Sequence, residues 1–247
     1  MMPFLRLGPF LLQLPGLALL TGLWLGSSLT EKQATRLRLN GNDVYNLVFY
    51  GLLAGLAGAR LAYAARYFGA YQANPLGLLS LTPATLSPLE GAVAGLAVAL
   101  FFGWRRRLPL RPTLDALAPG VAAFLVGLAV AHLLSGNAFG APARLPWSIY
   151  LWSEYRHPTQ VYEIMAAVAI FFVAWRQPLR APGQGLNFVL VIALTATARV
   201  FLEGLRGDSV LIAGGFRAAQ VGGLFVLGFC LWVMRRWSPA TTAELAA

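Results

Sequence analysis

The chain has 247 residues, 58% of them hydrophobic and only 11% charged, with a mean hydropathy of +0.65. A water-soluble domain of this length does not need so much apolar side chain to fill its core, so the composition excludes that class and indicates an integral membrane protein. The formal net charge of +10 comes from basic residues dispersed between apolar runs rather than gathered on one soluble face, which speaks for membrane topology and against nucleic acid as a partner.

Seven apolar runs reach the ~17–25 residues that a helix needs to cross a bilayer. They predict an all-α membrane protein of about seven spans in one domain covering 1–247, one bundle with small extracytoplasmic loops. The first run, near 8–29, follows Arg6 and ends at Gly26-Ser27-Ser28. It also fits a cleaved signal sequence, but it exceeds the ~7–15 residue core of such a segment, and a membrane helix is the preferred reading. The second and third runs lie near 44–66 and 86–104. Together with the first they carry glycine pairs spaced by four, Gly22–Gly26, Gly51–Gly55 and Gly91–Gly95, a pattern that permits close helix crossings. The fourth run is predicted near 113–135. The segment Ser135-Gly136-Asn137-Ala138-Phe139-Gly140, followed by Leu145-Pro146-Trp147, then breaks the helix and enters a polar loop. Irregular backbone at that depth is tolerated only where it is buried in protein or lines a cavity.

The next run, near 158–175, opens on His157-Pro158-Thr159-Gln160-Val161-Tyr162-Glu163. Pro158 suits the first turn of a helix, where its missing N–H costs nothing. That places one of only two histidines at the helix mouth beside an amide, a phenol and a carboxylate. The cluster is either a site of chemistry or a polar helix cap with Tyr162 as an interfacial anchor. The last two runs lie near 185–204 and 216–234. Arg199 and Glu203 share a helix face, close enough to form a structural ion pair or to present both signs to a ligand headgroup. Cys230, the single cysteine, excludes an internal disulfide and reads as a packing residue.

Arg60, Glu90, Asp115, His132, Glu163, Arg199 and Glu203 lie within or at the ends of these runs, where a charge costs on the order of 2.5–3.5 kcal/mol by insertion scales. Such residues face one another or a wet cavity. His132 is either a buried, hydrogen-bonded core histidine or a base ahead of the loop, since an imidazole titrates near neutrality. Two histidines without an acid–histidine helical motif imply no metal, and no cofactor is called for.

The basic residues also predict sidedness. Lys32, Arg36, Arg38, Arg105, Arg106, Arg107, Arg111, Arg176, Arg180, Arg235 and Arg236 fall on one side of seven spans, against Arg6, Arg66, Arg144, Arg156, Arg206 and Arg217 on the other. Positive residues stay preferentially in the cytoplasm, so the N-terminus is expected outside and the C-terminus inside, with loops 67–85, 136–157 and 205–215 on the outer face.

The chain resembles the prolipoprotein diacylglyceryl transferases, bacterial inner-membrane enzymes with seven helices that move a diacylglyceryl group from phosphatidylglycerol to a lipobox cysteine. The resemblance runs along nearly the whole chain. It rests on the segment from His157 to Glu163, on Gly58-Ala59-Arg60-Leu61-x-Tyr63, on an Asp115-x-x-x-Pro119 helix start, on Gly140 before Leu145-Pro146-Trp147, and on Arg199-x-x-x-Glu203-x-x-Arg206. The chain also departs from the family pattern. Pro15 stands for a tyrosine before Gly16-Leu17, and Glu90 stands for the histidine of a His-Gly-Gly-Leu motif. Aligned on Gly140, the signature segment has Ala129 at an arginine, His132 at an asparagine and Asn137 at a glutamate, with Gly136 and Gly140 retained.

The resemblance implies phosphatidylglycerol and a lipobox-containing prolipoprotein or related acceptor as substrates, and the bacterial cytoplasmic membrane as location. Transfer from a phosphatidyl headgroup needs cations for the leaving phosphate and a base for the thiol proton. The catalytic set is then His132, His157, Glu90, Arg199 and Glu203. The headgroup set is Arg60, Asn137, Gly140, Gln160, Tyr162, Arg199 and Arg206. Two alternatives stay open: a non-catalytic relative that binds or presents a phospholipid, and a lipid or anion transporter using the same arginines. No symmetric pair of interrupted helices supports the transporter.

Overall fold

A computed structural model describes residues 4–7, 10–73, 75–79, 85–176 and 183–238. The chain is an all-α membrane protein. Its α-helices are α1 (Leu14–Arg36), α2 (Gly41–Arg66), the short α3 (Phe68–Ala73), α4 (Pro88–Arg105), α5 (Leu110–Ser135), α6 (Thr159–Arg176), α7 (Leu186–Glu203) and α8 (Ala218–Trp237). Two antiparallel hairpins accompany them, β1 (Phe4–Leu7) with β2 (Phe10–Gln13) and β3 (Ile149–Leu151) with β4 (Glu154–Arg156).

Among the described residues, five helices (α2, α5, α6, α7 and α8) are long and apolar enough to cross a membrane. Helices α1 and α4 stand on the other two predicted segments. Both have charged ends: α1 closes with Glu31, Lys32 and Arg36, while α4 carries Glu90 in its first turn and Arg105 in its last. The first predicted span is displaced. Instead of 8–29, the helix begins at Leu14 with Pro15 in its first turn, and the preceding residues pair as a hairpin in the register Leu7↔Phe10. Residues 8 and 9 lie outside the described residues, as does Arg180. The predicted helix start at Asp115 and Pro119 is also corrected, because both sit inside α5, which begins at Leu110.

The chain divides into two compact units, Met1–Leu37 with Arg111–Ala247, and Arg38–Leu110. In the first, α1 meets α5 through glycine. A Cβ on Gly26 would lie 2.6 Å from the Gly120 carbonyl oxygen, and one on Gly127 would lie 2.8 Å from that of Ala18. Helices α5, α6 and α7 share an apolar cluster of Ala118, Ala122, Ile170 and Val191, and α7 packs on α8 through Val189, Ala193, Cys230 and Val233.

Asp115 explains how α7 begins. It is 1% exposed. Its Oδ2 accepts the backbone N–H groups of Gly183 (3.0 Å) and Gly185 (2.9 Å), and its Oδ1 those of Asn187 (3.0 Å) and Phe188 (3.4 Å). A helix N-terminus has four donors without intrahelical partners, and a carboxylate from another helix answers them while meeting the positive end of the helix dipole.

In the second unit, Asn40 caps α2 by accepting from the N–H of Asn42 at 3.1 Å, a side-chain cap of the usual kind. The glycines of α2 and α4 interleave: a Cβ on Gly95 would lie 2.7 Å from the Gly51 carbonyl oxygen, and one on Gly91 equally close to that of Gly55. Backbones this near leave no room for larger side chains, as the paired glycines predict.

Candidate functional site

Helix α5 ends at Ser135. Gly136 follows in the left-handed region (φ 78°), where glycine carries no steric penalty, and its N–H caps the His132 carbonyl at 3.0 Å. The chain then runs through Asn137 and Ala138 to Gly140, which bridges Arg206 in antiparallel fashion. The N–H of Ala141 donates to the Leu205 carbonyl (2.8 Å) and that of Gly207 to the Phe139 carbonyl (2.9 Å). The loop after α5 and the loop after α7 are thereby stitched together by backbone.

Gly140 has no space for a side chain: a Cβ there would lie 2.6 Å from the Cβ of His157. Its carbonyl accepts from Arg156 Nη1 at 3.2 Å. At the start of α6, the Thr159 hydroxyl donates to the Ala138 carbonyl (2.6 Å) and Gln160 Nε2 to the Asn137 carbonyl (3.1 Å). Gln160 is fully buried, and its Oε1 lacks a hydrogen-bond partner, as does His157 Nδ1. These contacts fix the loop to α6 and make the segment from His157 to Gln160 a scaffold.

Behind that scaffold lies a cavity of about 80 Å3, walled by Leu125, Ala166, Ala167, Ile170, Ala198 and Leu202. Ala138, Thr159, Glu163, Thr195, Arg199 and Arg206 also line it. One water needs ~10–15 Å3 by this measure, so the space has room for several waters or one small polar group. The α6 contributors follow helical spacing, Thr159, Glu163, Ala166, Ala167 and Ile170, and so do Thr195, Arg199 and Leu202 of α7.

Charge gathers around this cavity: Glu163, Arg199 and Arg206 line it, and His132 and Glu203, which do not, are their direct partners. His132 Nδ1 lies 2.9 Å from Glu163 Oε2, with both side chains about three-quarters buried. Glu203, only 1% exposed, holds its Oε2 3.2 Å from Arg199 Nη2 and 3.8 Å from Arg206 Nε, an ion pair without aligned hydrogen bonds. Arg206 instead grips Asp208 with two hydrogen bonds of 2.8 Å. Arg217 Nη1 donates to the Glu203 carbonyl, to the Arg206 carbonyl (2.8 Å) and to Ser209 Oγ (3.0 Å), closing the turn after α7. Arg199 is the least committed cation here, with a side chain 40% exposed. In surroundings of low dielectric such a charge acts strongly on any anion that enters.

The remaining predicted site residues take other places. Tyr162 accepts a hydrogen bond from Trp147 Nε1 at 2.7 Å, and its ring sits edge-on to His157 at 6.4 Å. Neither residue lines the cavity. Asn137 is exposed and acts through its carbonyl. Arg60 and Glu90 belong to the second unit. Arg60 is buried and donates to the carbonyls of Gly77, Leu78 (3.1 Å) and Thr85 (2.8 Å), stacking on Tyr71. Glu90 pairs with Arg66 Nη2 at 2.6 Å. Sequence reasoning left Thr159, Glu163, Thr195 and Asp208 out of the site sets. The spacing of four between Thr159 and Glu163, and between Thr195 and Arg199, is the signal that could have found three of them.

The family model for prolipoprotein diacylglyceryl transferase matches residues 3–236. The chain belongs to that family. It is similar to the phosphatidylglycerol–prolipoprotein diacylglyceryl transferase of Synechococcus elongatus, 26% identical over 246 residues that cover 91% of this chain and 83% of the relative. The enzyme of that name from Thermosynechococcus vestitus is 28% identical over 249 residues, covering 94% and 91%. That from Lactobacillus johnsonii is 26% identical, covering 94% and 89%.

Proposed function

We propose that this chain transfers the diacylglyceryl group of phosphatidylglycerol to the lipobox cysteine of a prolipoprotein. The observation that carries the reading is that Glu163, Arg199 and Arg206 line one apolar-walled cavity, with His132 held against Glu163 and Glu203 against the two guanidinium groups, in a chain of this family. Arg199 meets the phosphate, being the cation with donors to spare. Glu203 holds it from behind, and Asp208 keeps Arg206 in place. His132 takes the thiol proton. The sulfur forms a bond to the glyceryl carbon, the carbon–oxygen bond breaks, and the phosphate oxygen leaves with its electron pair as glycerol phosphate beside Arg199. A preorganised cation stabilises that developing charge without reorganisation.

A second reading, a relative that binds phospholipid without turning it over, is favoured by Ala129. This residue stands where the family carries an arginine, and it is fully buried in α5 with no charge to offer. One experiment separates the two. Purified protein is given phosphatidylglycerol labelled in its diacylglyceryl group and a lipobox peptide. Label is expected on the peptide, with His132→Ala and Arg199→Ala each lowering transfer by about 10²-fold or more. Binding of phosphatidylglycerol without transfer would overturn the enzyme reading, and the absence of both would overturn the lipid site.

The location consistent with this activity is the bacterial cytoplasmic membrane, with the N-terminus outside and the C-terminus in the cytoplasm. A C-terminal reporter that works only in the periplasm should therefore stay inactive. An active one reverses the orientation.

A further inference from the structure

We infer that Glu163 is a positioning residue that holds His132 as the Nδ1–H tautomer and so leaves its Nε2 as the proton acceptor. The inference rests on the transferase reading of the cavity and adds a role for Glu163 within it. His132 stands in the last turn of α5 and Glu163 in the second turn of α6, and the ring and carboxylate meet at 2.9 Å. An ionised carboxylate can only accept, so the proton of a neutral ring must sit on Nδ1. Which ring nitrogen is free is set by the hydrogen bond that the other one makes. Among the described residues the ring makes no other hydrogen bond, so Nε2 keeps its lone pair.

The surroundings make this arrangement consequential. The charged groups that line the cavity are Glu163 from α6, Arg199 from α7 and Arg206 just beyond it, with Glu203 paired to the two guanidinium groups from outside the lining. When Nε2 takes the thiol proton, the ring becomes a cation in a place that already holds two guanidinium groups. Glu163 is the carboxylate in direct contact with it. The same contact therefore selects the tautomer beforehand and offsets the new charge afterwards. A histidine without an oriented partner would be free to present either nitrogen. Here the partner is the carboxylate of Glu163, four residues after Thr159 at the start of α6.

The test reads the tautomer directly. The full chain contains two histidines, so 15N-histidine labelling of protein in detergent micelles gives two imidazoles, and the signals lost in His132→Gln belong to His132. Wild type is expected to show Nδ1 protonated and Nε2 bare. Glu163→Asp keeps a carboxylate and should keep that tautomer with measurable transfer from phosphatidylglycerol to a lipobox peptide, whereas Glu163→Gln offers Nδ1 a donor as well as an acceptor and carries no charge, so the single tautomer should be lost and transfer should fall by about 10²-fold or more. Glu163→Leu removes the acceptor, so the ring should lose the Nδ1–H form and transfer should fall by about 10²-fold or more, with phosphatidylglycerol binding retained. An unchanged tautomer in Glu163→Leu would overturn the inference, as would a changed tautomer with full transfer. If wild type binds phosphatidylglycerol but transfers nothing, the transferase reading and the base role of His132 fall together. The spectra then still decide whether Glu163 sets the ring.

Discussion

At the scale of single residues, the turn after α7 joins a catalytic question to a stability question. Burial pushes the Asp208 carboxyl up, but the hydrogen bonds and charge of Arg206 outweigh it and hold the group below the usual carboxylate range. Burial likewise pulls the Arg206 guanidinium down, and Asp208, then Glu203 and Glu163, more than offset it, leaving Arg206 above its ordinary value. A carboxylate depressed in the folded state stabilises the fold above its ordinary pKa, and that contribution disappears as the pH falls through the lowered value; Arg206 stays charged throughout. Thermal unfolding in detergent should therefore show a melting temperature that drops as the pH is taken down through the carboxylate range. In Asp208→Asn the melting temperature should be lower at neutral pH and less sensitive to acid. Gly140 offers a second check. Gly140→Ala would drive a methyl group against His157, and transfer should fall by more than tenfold because the loop that carries Ala138 must move, a misplacement of a kind known to cost about 10²-fold.

At the scale of elements, glycine spacing was the most legible feature, and the hairpin beside the site the least. Gly51–Gly55 and Gly91–Gly95 predicted close crossings, and α2 and α4 meet through those residues. Gly95→Leu should accordingly destabilise the protein by about 1–3 kcal/mol through overpacking, measured as a lower unfolding midpoint, whereas Gly222→Leu, with open space around the glycine, should leave the midpoint unchanged. The hairpin of β3 and β4 turns at Trp152 and Ser153, with φ of 55° and 66°. Turns of this kind are normally announced by Asn-Gly or Asp-Gly, so the tight turn had no sequence signal, and the segment was read only as a polar loop. The N-terminal hairpin was missed for a different reason. Residues 8–29 are predominantly apolar, and hydropathy alone does not separate a strand from the first turns of a helix; only Pro15 marks the true start. Within the site, Arg199 and Glu203 were legible as a pair from their spacing. The partner of His132 was not, because contacts between α5 and α6 depend on how the two helices rotate.

At the scale of the whole molecule, composition was enough to specify an all-α membrane protein, and the order of motifs was enough to specify its family. The exact spans were less legible, since α1 and α4 combine apolar length with charged ends. Asp115 was legible only as an intramembrane charge and as part of a supposed helix start, because its partners are backbone groups about 70 residues further along the chain. Those partners give it reach. Helix α7 has 18 residues, and at ~1.5 Å per residue it extends about 27 Å, with its first turn tied to Asp115 and its last turns carrying Arg199 and Glu203. Asp115→Ala should lower stability by at least about 1–3 kcal/mol, the cost of leaving a buried donor unpaired, and should also weaken phosphatidylglycerol binding although the residue never meets the lipid. Asp115→Asn, which keeps one acceptor oxygen, should fall between the two. The helix behaves as a rod clamped at one end, so the aim of the guanidinium at its working end is set from the far end of the rod.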